Sequence, residues 1–336
     1  MTQPLYGADE ARGLWVYLEQ DGGRLEGVSL ELLAKGRELA DGARSDLTGV
    51  LLGEGVKRLA AEAIAHGADR VLVADDSRLA CYRTEPYARV VASLVEERKP
   101  DIFLLGATLN GRDLAGRLAV RLRTGLTADC TDLGLEEGTG LLLGEVTGFG
   151  GGILATIKCE AHRPQMATVR PGVFAANQPG APRRGRTERV AVELEPEDLR
   201  VEVLERVTTA GADITGAKVV VAGGRGTRGD FSLVEELARL LGGEVGATRV
   251  AVDEGWIERE RQIGQTGFVT RPQLAILCGI SGAFQFIVGV EKAETVIAIN
   301  SDREAEVFEH ADYAVIDDLF RVLPPLIGEI KQGQAR

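Results

Sequence analysis

Apolar and polar residues follow two rhythms in the first half of the chain, and together they predict a repeating β-α pattern. Short continuous apolar runs, which are typical of buried strands, occupy residues 14–18, 48–53, 70–76 and 101–108. Longer segments in which apolar residues recur every three or four positions occupy residues 29–40, 56–67, 87–99 and 111–125. Apolar strands that alternate with amphipathic helices are typical of a parallel sheet covered by helices on both faces. The pattern therefore predicts an α/β fold.

The rhythm changes after residue 125. Thr- and Gly-rich segments between residues 126 and 175 show no long helical pattern, and we interpret them as further strands of the same domain. Residues 177–188 combine Pro, Gly and Arg without large apolar side chains, which predicts an exposed connection or a long surface loop. Two strand-like runs follow, at residues 190–196 and 201–207.

A second β-α pattern begins near Ala210. Apolar runs predict strands at residues 218–224, 273–280, 295–300 and 313–317. Helices are predicted at residues 231–243, in a short segment from Ser281 and in a last segment from about Asp318. We therefore expect two α/β domains, residues 1–205 and 206–336, each a mainly parallel sheet flanked by helices.

Length and charge exclude several classes of protein. The chain has 336 residues, enough for two domains that each bury a core. No apolar run approaches the roughly 18–20 residues that cross a bilayer, so membrane insertion is not expected. The 39 basic and 51 acidic residues give a net charge of −12, which argues against a general nucleic-acid binder. The N-terminal segment lacks the apolar core of a secretory signal, so a cytoplasmic location is expected.

Cysteine and histidine residues are too scattered to predict a metal site. No two cysteines are spaced as CxxC, and the three histidines lie far apart in the sequence. The four cysteines are Cys81, Cys130, Cys159 and Cys278. We expect most of them to be inert, small apolar side chains, and we expect neither a metal ion nor an iron–sulfur cluster.

A glycine-rich loop follows the predicted strand at residues 218–224. Residues 224–229 read Gly-Arg-Gly-Thr-Arg-Gly, a GxGxxG pattern between a strand and a helix. Glycines at this place let the backbone turn tightly and approach a pyrophosphate group. The loop differs from the usual NAD pattern, because it contains two arginines and because Arg249 stands near the position of the acidic residue that binds ribose. A plain glycine turn between strand and helix is the alternative interpretation.

Further loops of the same kind follow in the second domain. Small residues open the predicted helix at Ser281, where exposed backbone amides suit an anion. The glycine-bracketed loop at residues 264–267 offers an amide and a hydroxyl group. Asn300 and Asp318 each follow a strand, and open α/β sheets bind ligands beyond the carboxyl ends of their strands. The sequence therefore predicts a site for a phosphate-bearing ligand in this domain.

The amino-acid sequences of these segments resemble those of one known family. The runs VVVAGGRGTRGDFSLVEELARLLGG, QIGQTG, GISGAFQF, VIAINSD and DYAVIDDLFRVLP are similar, in order and spacing, to the C-terminal FAD domain of the electron transfer flavoprotein alpha subunit. In the first domain, GATLNGRDLAGRLAVRLRTGLTADCTDL and HRPQMATVRPGVF resemble segments of the same family. The central stretch is more similar to the bacterial branch that includes nitrogen-fixation-associated proteins.

The resemblance implies FAD as the cofactor and a beta subunit that packs on the first domain and covers part of the flavin. The residues that it places at the cofactor are Arg225, Thr248, Arg249, Gly264, Gln265, Thr266, Gly267, Ser281, Gly282, Ala283, Phe284, Gln285, Phe286, Asn300, Asp318 and Leu319. No catalytic nucleophile, general base or metal cluster emerges from the sequence, so the protein is expected to contribute binding, electrostatics and a docking surface.

The resemblance also implies a role for each group of residues. Arg225 and the loop at residues 281–285 would contact the FAD diphosphate, since a guanidinium makes charge-assisted bonds to phosphate. Arg249 would lie beside the isoalloxazine ring and favour its anionic forms. Thr266, next to Gln265, would donate a hydrogen bond to the flavin N5. The adenosine end would be held by Asn300, Asp318 and Leu319. Each of these could instead be a capping residue, and Asp318 most of all, because it stands at a helix start.

Phe286 departs from the family motif. The family has a histidine here that hydrogen-bonds the flavin pyrimidine carbonyl, and a phenyl ring cannot donate a hydrogen bond or carry charge. The loss of one charge-assisted bond is worth roughly 1.5–3 kcal/mol. We therefore expect weaker stabilisation of the anionic, one-electron-reduced flavin, unless Arg249 or a residue of the beta subunit compensates.

The expected function is that of an electron carrier. The resemblance implies that the heterodimer takes electrons from flavoprotein dehydrogenases of the acyl-CoA dehydrogenase type and passes them to a quinone reductase. A sister version is an electron-bifurcating complex, in which NADH feeds a second FAD on the beta subunit. The alternatives are an independent NAD-dependent oxidoreductase that uses residues 224–229, and a non-redox module that senses adenine nucleotides. The loop at residues 106–111 in the first domain is interpreted as structural.

Overall fold

The computed structural model describes residues 4–148, 153–178, 184–206 and 214–334. The chain divides into two compact units, Met1–Val207 and Thr208–Arg336. Each unit contains a parallel sheet flanked by helices, so the predicted α/β fold class is confirmed.

The first unit is built on a seven-stranded parallel sheet. The strands of the whole unit are β1 (Leu14–Leu18), β2 (Gln20–Asp21), β3 (Arg24–Leu25), β4 (Leu47–Gly53), β5 (Arg70–Asp75), β6 (Ile102–Gly106), β7 (Leu126–Cys130), β8 (Asp132–Leu135), β9 (Leu142–Gly148), β10 (Ile153–Ile157), β11 (Gln165–Val169) and β12 (Arg186–Arg189). Its helices are α1 (Gly27–Gly42), α2 (Leu59–Ala65), α3 (Thr84–Arg98) and α4 (Leu109–Arg121), with 3-10 turns at Val56–Arg58, Ser77–Leu79 and Pro196–Leu199. The sheet order is β12-β5-β4-β1-β6-β11-β7.

The main sheet of the first unit lies between two apolar cores. Alternate residues of β1 enter different cores: Leu14, Val16 and Leu18 pack on the side of α1 and α2. Trp15 and Tyr17 pack on the side of α3 and α4. Because both faces are buried, the strand reads as a continuous apolar run, which is why its bounds could be predicted.

The described residues between 126 and 175 form strands and no long helix, as predicted, but the strands belong to two sheets. Strands β7 and β11 complete the main sheet, whereas β8, β9 and β10 form a separate antiparallel sheet. The short edge strand β12 overlaps the end of the segment predicted as an exposed connection and pairs with β5. Residues 179–183 of that segment lie outside the described residues.

The strand predictions for residues 190–196 and 201–207 are wrong. Residues 190–195 form no strand, although Val190 N–H donates to the carbonyl of Val73 on β5 at 3.0 Å, and residues 201–206 are exposed and irregular. Val207 lies outside the described residues. The apolar alternation in residues 190–196 has a different cause: Val190, Val192 and Leu194 pack against the core beneath α3 and α4.

The second unit is a five-stranded parallel sheet in the order β14-β13-β15-β16-β17. Its strands are β13 (Val219–Gly223), β14 (Glu244–Ala247), β15 (Leu274–Cys278), β16 (Thr295–Asn300) and β17 (Tyr313–Ile316). Its helices are α5 (Ser232–Leu240), α6 (Arg249–Asp253), α7 (Phe284–Ile287) and α8 (Leu319–Gln334), with 3-10 turns at Arg225–Thr227, Arg259–Arg261 and Glu306–His310. The helix predicted from Ser281 begins at Phe284. The sequence pattern made no prediction for β14 and α6.

Within the described ranges, no helix is both long enough and apolar enough to cross a membrane.

Candidate cofactor site

The strand order of the second unit creates a crevice. After β13 the chain forms β14 on one side of it, and later forms β15 on the other side. Open α/β sheets bind ligands at such a switch point, in the crevice beyond the carboxyl ends of the strands. The loops here begin at Gly224 and at Gly279.

The two loops touch along their backbones. Gly226 N–H donates to the carbonyl of Gly279 at 2.9 Å, and Gly224 N–H donates to the carbonyl of Cys278 at 3.0 Å. A Cβ atom on Gly226 would lie 2.6 Å from the Cα atom of Gly279, which is too close for any side chain. Glycine is therefore needed at Gly226 for close approach of two chains, beyond the needs of a turn.

A groove with a volume of about 900 Å³ opens along the carboxyl ends of these strands. Eleven of the sixteen residues that the resemblance places at the cofactor line it, namely Arg225, Thr248, Arg249, Thr266, Ser281, Ala283, Gln285, Phe286, Asn300, Asp318 and Leu319. Residues up to 94 positions apart in the sequence thus meet around one cavity.

The other five predicted residues do not line the groove. They are Gly264, Gln265, Gly267, Gly282 and Phe284. Gly264 has a positive φ of 127°, and a Cβ atom there would collide with the carbonyl of Gln285. Gln265 N–H donates to the same carbonyl at 2.7 Å. These contacts hold the loop at residues 264–267 against the start of α7.

Thr248 has an orphaned hydroxyl group. Its side chain precedes α6 and lines the groove, but Oγ1 is buried and has no hydrogen-bond partner among the described residues. A buried hydroxyl without a partner loses about 1–3 kcal/mol of solvation free energy. A polar ligand in the groove would satisfy this group.

Two arginines at the groove differ in their partners. The guanidinium of Arg225 is exposed and forms no ion pair within the part of the chain that the structure describes. Arg249 is also exposed, but its Nε donates to Asp253 Oδ2 at 3.1 Å, one turn along α6. Arg225 is therefore the freer of the two to bind an anion.

Thr266 is positioned by a buried glutamine that the sequence analysis did not identify. The side chain of Gln262 is 6% exposed, and its Nε2 donates to Thr266 Oγ1 at 2.9 Å. The hydroxyl oxygen thus serves as an acceptor, which leaves the hydroxyl hydrogen of Thr266 for another partner.

Asn300 and Asp318 line the groove and also hold the protein backbone. Asn300 Nδ2 donates to the carbonyl of Ile280 at 2.8 Å, which ties the end of β16 to the loop after β15. Asp318 Oδ1 accepts from the N–H of Phe320 at 3.0 Å, in the first turn of α8. Both side chains therefore have a structural partner in addition to any ligand.

Charge is unequally distributed around the groove. Arg228 lies on the side of Arg225, with Nη2 3.5 Å from Asp318 Oδ2. Three acidic residues line another part, namely Asp302, Glu304 and Glu306. None of these four residues was predicted individually from the sequence, although Arg228 is the second arginine of the glycine loop.

Phe286 is almost completely buried. Only 6% of it is exposed, and it packs in an apolar cluster with Ile263 and Ile287. It still lines the groove. The phenyl ring therefore presents an apolar wall to the cavity and also contributes to the core of the unit.

No group of three or more potential metal ligands is found in the described part of the chain. Burial raises the pKa of the thiols of Cys130 and Cys278 to about 12, so both remain protonated at neutral pH. Neither offers a thiolate to a metal ion or a substrate.

The fold and the groove define an α/β protein whose second sheet has, at its switch point, a crevice suited to a phosphate-bearing cofactor. Comparison with known families agrees: residues 14–195 match the electron transfer flavoprotein domain, and residues 213–291 match the electron transfer flavoprotein FAD-binding domain. The chain belongs to the electron transfer flavoprotein family, and its cofactor is FAD.

Relatives of this chain match it over nearly their whole length. An electron transfer flavoprotein subunit alpha of Clostridium acetobutylicum is 47% identical, over 95% of this chain and 97% of the relative. A protein FixB of Clostridium saccharobutylicum is 49% identical, over 96% and 97%. An acryloyl-CoA reductase electron transfer subunit beta of Anaerotignum propionicum is 39% identical, over 96% of both chains. The predicted resemblance to alpha subunits of the bacterial branch is confirmed.

Proposed function

We propose that this chain is the alpha subunit of a heterodimeric electron carrier that holds FAD in the groove of its second unit. The observation that carries the proposal is the coincidence, in one groove, of a glycine-lined backbone contact, a free arginine and the orphaned hydroxyl of Thr248. These features suit a ligand with a diphosphate and further polar groups. FAD has both.

The cofactor is held by residues from several strand ends. Arg225 and the loop at residues 281–285 bind the diphosphate, where the guanidinium supplies charge-assisted bonds. Arg249 and Thr248 lie beside the flavin ring, while Asn300, Asp318 and Leu319 hold the adenosine end. The hydrogen-bond partners of Asn300 and Asp318 support this assignment, because they fix both side chains at the groove wall.

Bound FAD supplies the electron-transfer chemistry, and the chain binds it, orients it and sets its electrostatic surroundings. Arg249 places a positive charge at the cavity. Thr266 presents its hydroxyl hydrogen toward the cavity, because Gln262 occupies the oxygen of that hydroxyl. Phe286 excludes water from one wall.

The proposed partners are a beta subunit that packs on the first unit, flavoprotein dehydrogenases of the acyl-CoA dehydrogenase type, and a quinone reductase. The relative from Anaerotignum propionicum supports a redox partner that acts on acyl-CoA compounds, because its name places it with an acryloyl-CoA reductase.

The test is to co-express the chain with the neighbouring beta-like subunit, count FAD and AMP released per heterodimer, and titrate the complex with NADH. One FAD, one AMP and no response to NADH would support a simple carrier. Two FAD and rapid bleaching by NADH would assign the chain to an electron-bifurcating complex. A complex without flavin that binds NAD would overturn the proposal in favour of an independent oxidoreductase.

A pair of glycine variants links the flavin to the groove. Gly226→Ala would press a methyl group against Gly279, so we expect loss of FAD from the heterodimer. Gly328→Ala is the matched control, since a Cβ atom there has no neighbour within 4 Å. Equal FAD content in the two variants would place the flavin elsewhere.

A further inference from the structure

A second pocket lies at the amino edge of the seven-stranded sheet. It has a volume of about 390 Å³. Trp15, Thr48 and Arg70 are register partners on β1, β4 and β5, so their side chains form one row on the same face of the parallel sheet. Arg12, which precedes β1, and Arg44, which follows α1, also line the pocket.

The pocket is rich in positive charge within an acidic chain. Arg98 also lines it but is paired with Glu97 and Glu188. Arg44 and Arg70 form no side-chain hydrogen bond or ion pair with the residues that the structure describes, and Arg12 donates only to a backbone carbonyl. The lining contains a single carboxylate, that of Asp46. The three guanidinium groups of Arg12, Arg44 and Arg70 and the one carboxylate of Asp46 give these lining residues a net charge of +2.

Two further donor groups lie in the lining. Thr48 is 5% exposed and Trp15 is 4% exposed, and both line the pocket. The hydroxyl group of Thr48 and the indole N–H of Trp15 face no acceptor side chain in this lining other than Asp46 and Ser45. The lining therefore offers guanidinium, hydroxyl and indole donors in excess of its acceptors.

We propose that this pocket binds a small phosphate-bearing anion. A phosphate monoester carries a charge of about −1.5 to −2 at neutral pH and only acceptor oxygens, which matches the charge and the donors of the lining. A single carboxylate would neutralise only half of the excess charge. The volume is less than half that of the FAD groove, so the ligand is smaller than a dinucleotide.

The test uses the FAD-loaded heterodimer, so that the FAD groove is filled, and titrates it calorimetrically with inorganic phosphate, inorganic pyrophosphate and sodium acetate. We expect phosphate or pyrophosphate to bind and acetate to bind at least about tenfold more weakly. Arg44→Gln and Arg70→Gln should each raise the Kd by at least about tenfold, the usual effect of losing a charged hydrogen bond. Thr48→Val should raise it by less, because its hydroxyl is neutral.

Arg123→Gln is the matched control. Like Arg44, Arg123 is an exposed arginine with a positive φ directly after a helix, but it does not line the pocket. It should leave the Kd unchanged, and thermal unfolding without ligand should show that all variants fold. Pyrophosphate affinity that is the same in Arg44→Gln, Arg70→Gln and the unmodified protein would overturn the proposal, as would acetate affinity equal to that of phosphate. FAD content is measured in parallel, so failure here is distinguishable from failure of the proposed carrier function.

Discussion

At the scale of single residues, the hydroxyl of Thr248 gives the sharpest prediction about FAD. Thr248→Val keeps the shape of the side chain and removes the orphaned group. If FAD satisfies the hydroxyl, the variant should bind FAD about three- to tenfold more weakly, since a neutral hydrogen bond contributes about 0.5–1.5 kcal/mol. The FAD-free protein should be equally stable or more stable, because an unpaired buried group is lost. FAD titration and thermal unfolding measure the two effects.

Thr147→Val is the control for this prediction. Thr147 lies on β9 in the first unit and also has a buried hydroxyl without a partner among the described residues. Its replacement should leave FAD affinity unchanged. If Thr248→Val binds FAD as well as the unmodified protein does, Thr248 does not contact the cofactor.

Gln262 should act only through Thr266. Gln262→Leu removes the donor that holds the threonine hydroxyl, so the hydroxyl becomes free to rotate. We expect the potential of the bound flavin to shift in the same direction as in Thr266→Ala. The double variant should shift it no further than the larger single effect, because both changes remove one interaction. Additive shifts in spectroelectrochemical titrations would show that the two residues act independently.

Phe286 tests how a buried ring tunes the flavin. Phe286→His should raise the amount of one-electron-reduced flavin that accumulates during photoreduction, and shift that potential upward by tens of millivolts, since 59 mV corresponds to about 1.4 kcal/mol. It should also destabilise the unit, because an imidazole enters an apolar cluster. Phe286→Leu is the control, with a similar packing change and no new donor. Equal potentials in the two variants would contradict the prediction.

At the scale of elements, the start of α8 separates capping from binding. Asp318 accepts a hydrogen bond from Phe320 N–H and also lines the groove. Asp318→Ser preserves a good helix cap, whereas Asp318→Ala loses it at a cost of about 1 kcal/mol. We expect the alanine variant alone to lose stability and both variants to bind FAD more weakly. Full FAD affinity in Asp318→Ser would reduce Asp318 to a capping residue.

The elements that the sequence predicted best are those whose pattern has one physical cause. Strand β1 is apolar throughout because both of its faces are buried, so its predicted and observed bounds agree. Residues 190–195 show the opposite case. Val190, Val192 and Leu194 alternate because they pack on a core, yet they form no strand: Val190 N–H donates to Val73 on β5, and the pairing does not continue to Val192 or Leu194. Alternation reports burial of one face, whereas a strand also requires a hydrogen-bonding partner that lies elsewhere in the chain.

The candidate site was predictable where it depends on backbone chemistry. The glycines of the 224–229 loop indicate close approach of a chain or a phosphate. This loop and the loop that begins at Gly279 both lie at the switch point of the sheet. Gln262 could not be predicted in the same way, since its contact with Thr266 depends on the path of the loop between them. The three acidic residues that line the groove, Asp302, Glu304 and Glu306, were not predicted from the sequence, because acidic residues in loops are common in any acidic protein.

At the scale of the whole molecule, the net charge of −12 makes the stability of the protein depend on pH. The contribution of a single buried carboxyl group must therefore be distinguished from this effect of overall charge. Glu19 follows β1 in the first unit and is 8% exposed. Its Oε2 accepts from Thr108 Oγ1 at 2.6 Å, the threonine that caps α4, which supports a structural role for the loop at residues 106–111. Burial raises the pKa of Glu19 above its usual range, and the hydrogen bonds from Thr108 and Asn110 only partly oppose this.

The sign of the resulting pH dependence follows from proton linkage. Between its unfolded pKa, about 4.3, and its raised folded pKa, Glu19 holds more proton in the folded state, so this group makes the protein less stable as the pH rises through that window. Glu19→Gln removes the term. We therefore expect the stability of Glu19→Gln relative to the unmodified protein to increase from pH 4 to pH 7.

Urea unfolding followed by fluorescence checks this in a Trp256→Phe background, in which Trp15 of the first unit is the one tryptophan left in this chain. Glu54→Gln is the control, because it makes the same change of net charge at an exposed position. If both variants change stability with pH in parallel, the effect is that of overall charge. A difference confined to Glu19→Gln would show that the cost lies in burying one carboxylate at the end of β1, where the sheet places it beside Thr108.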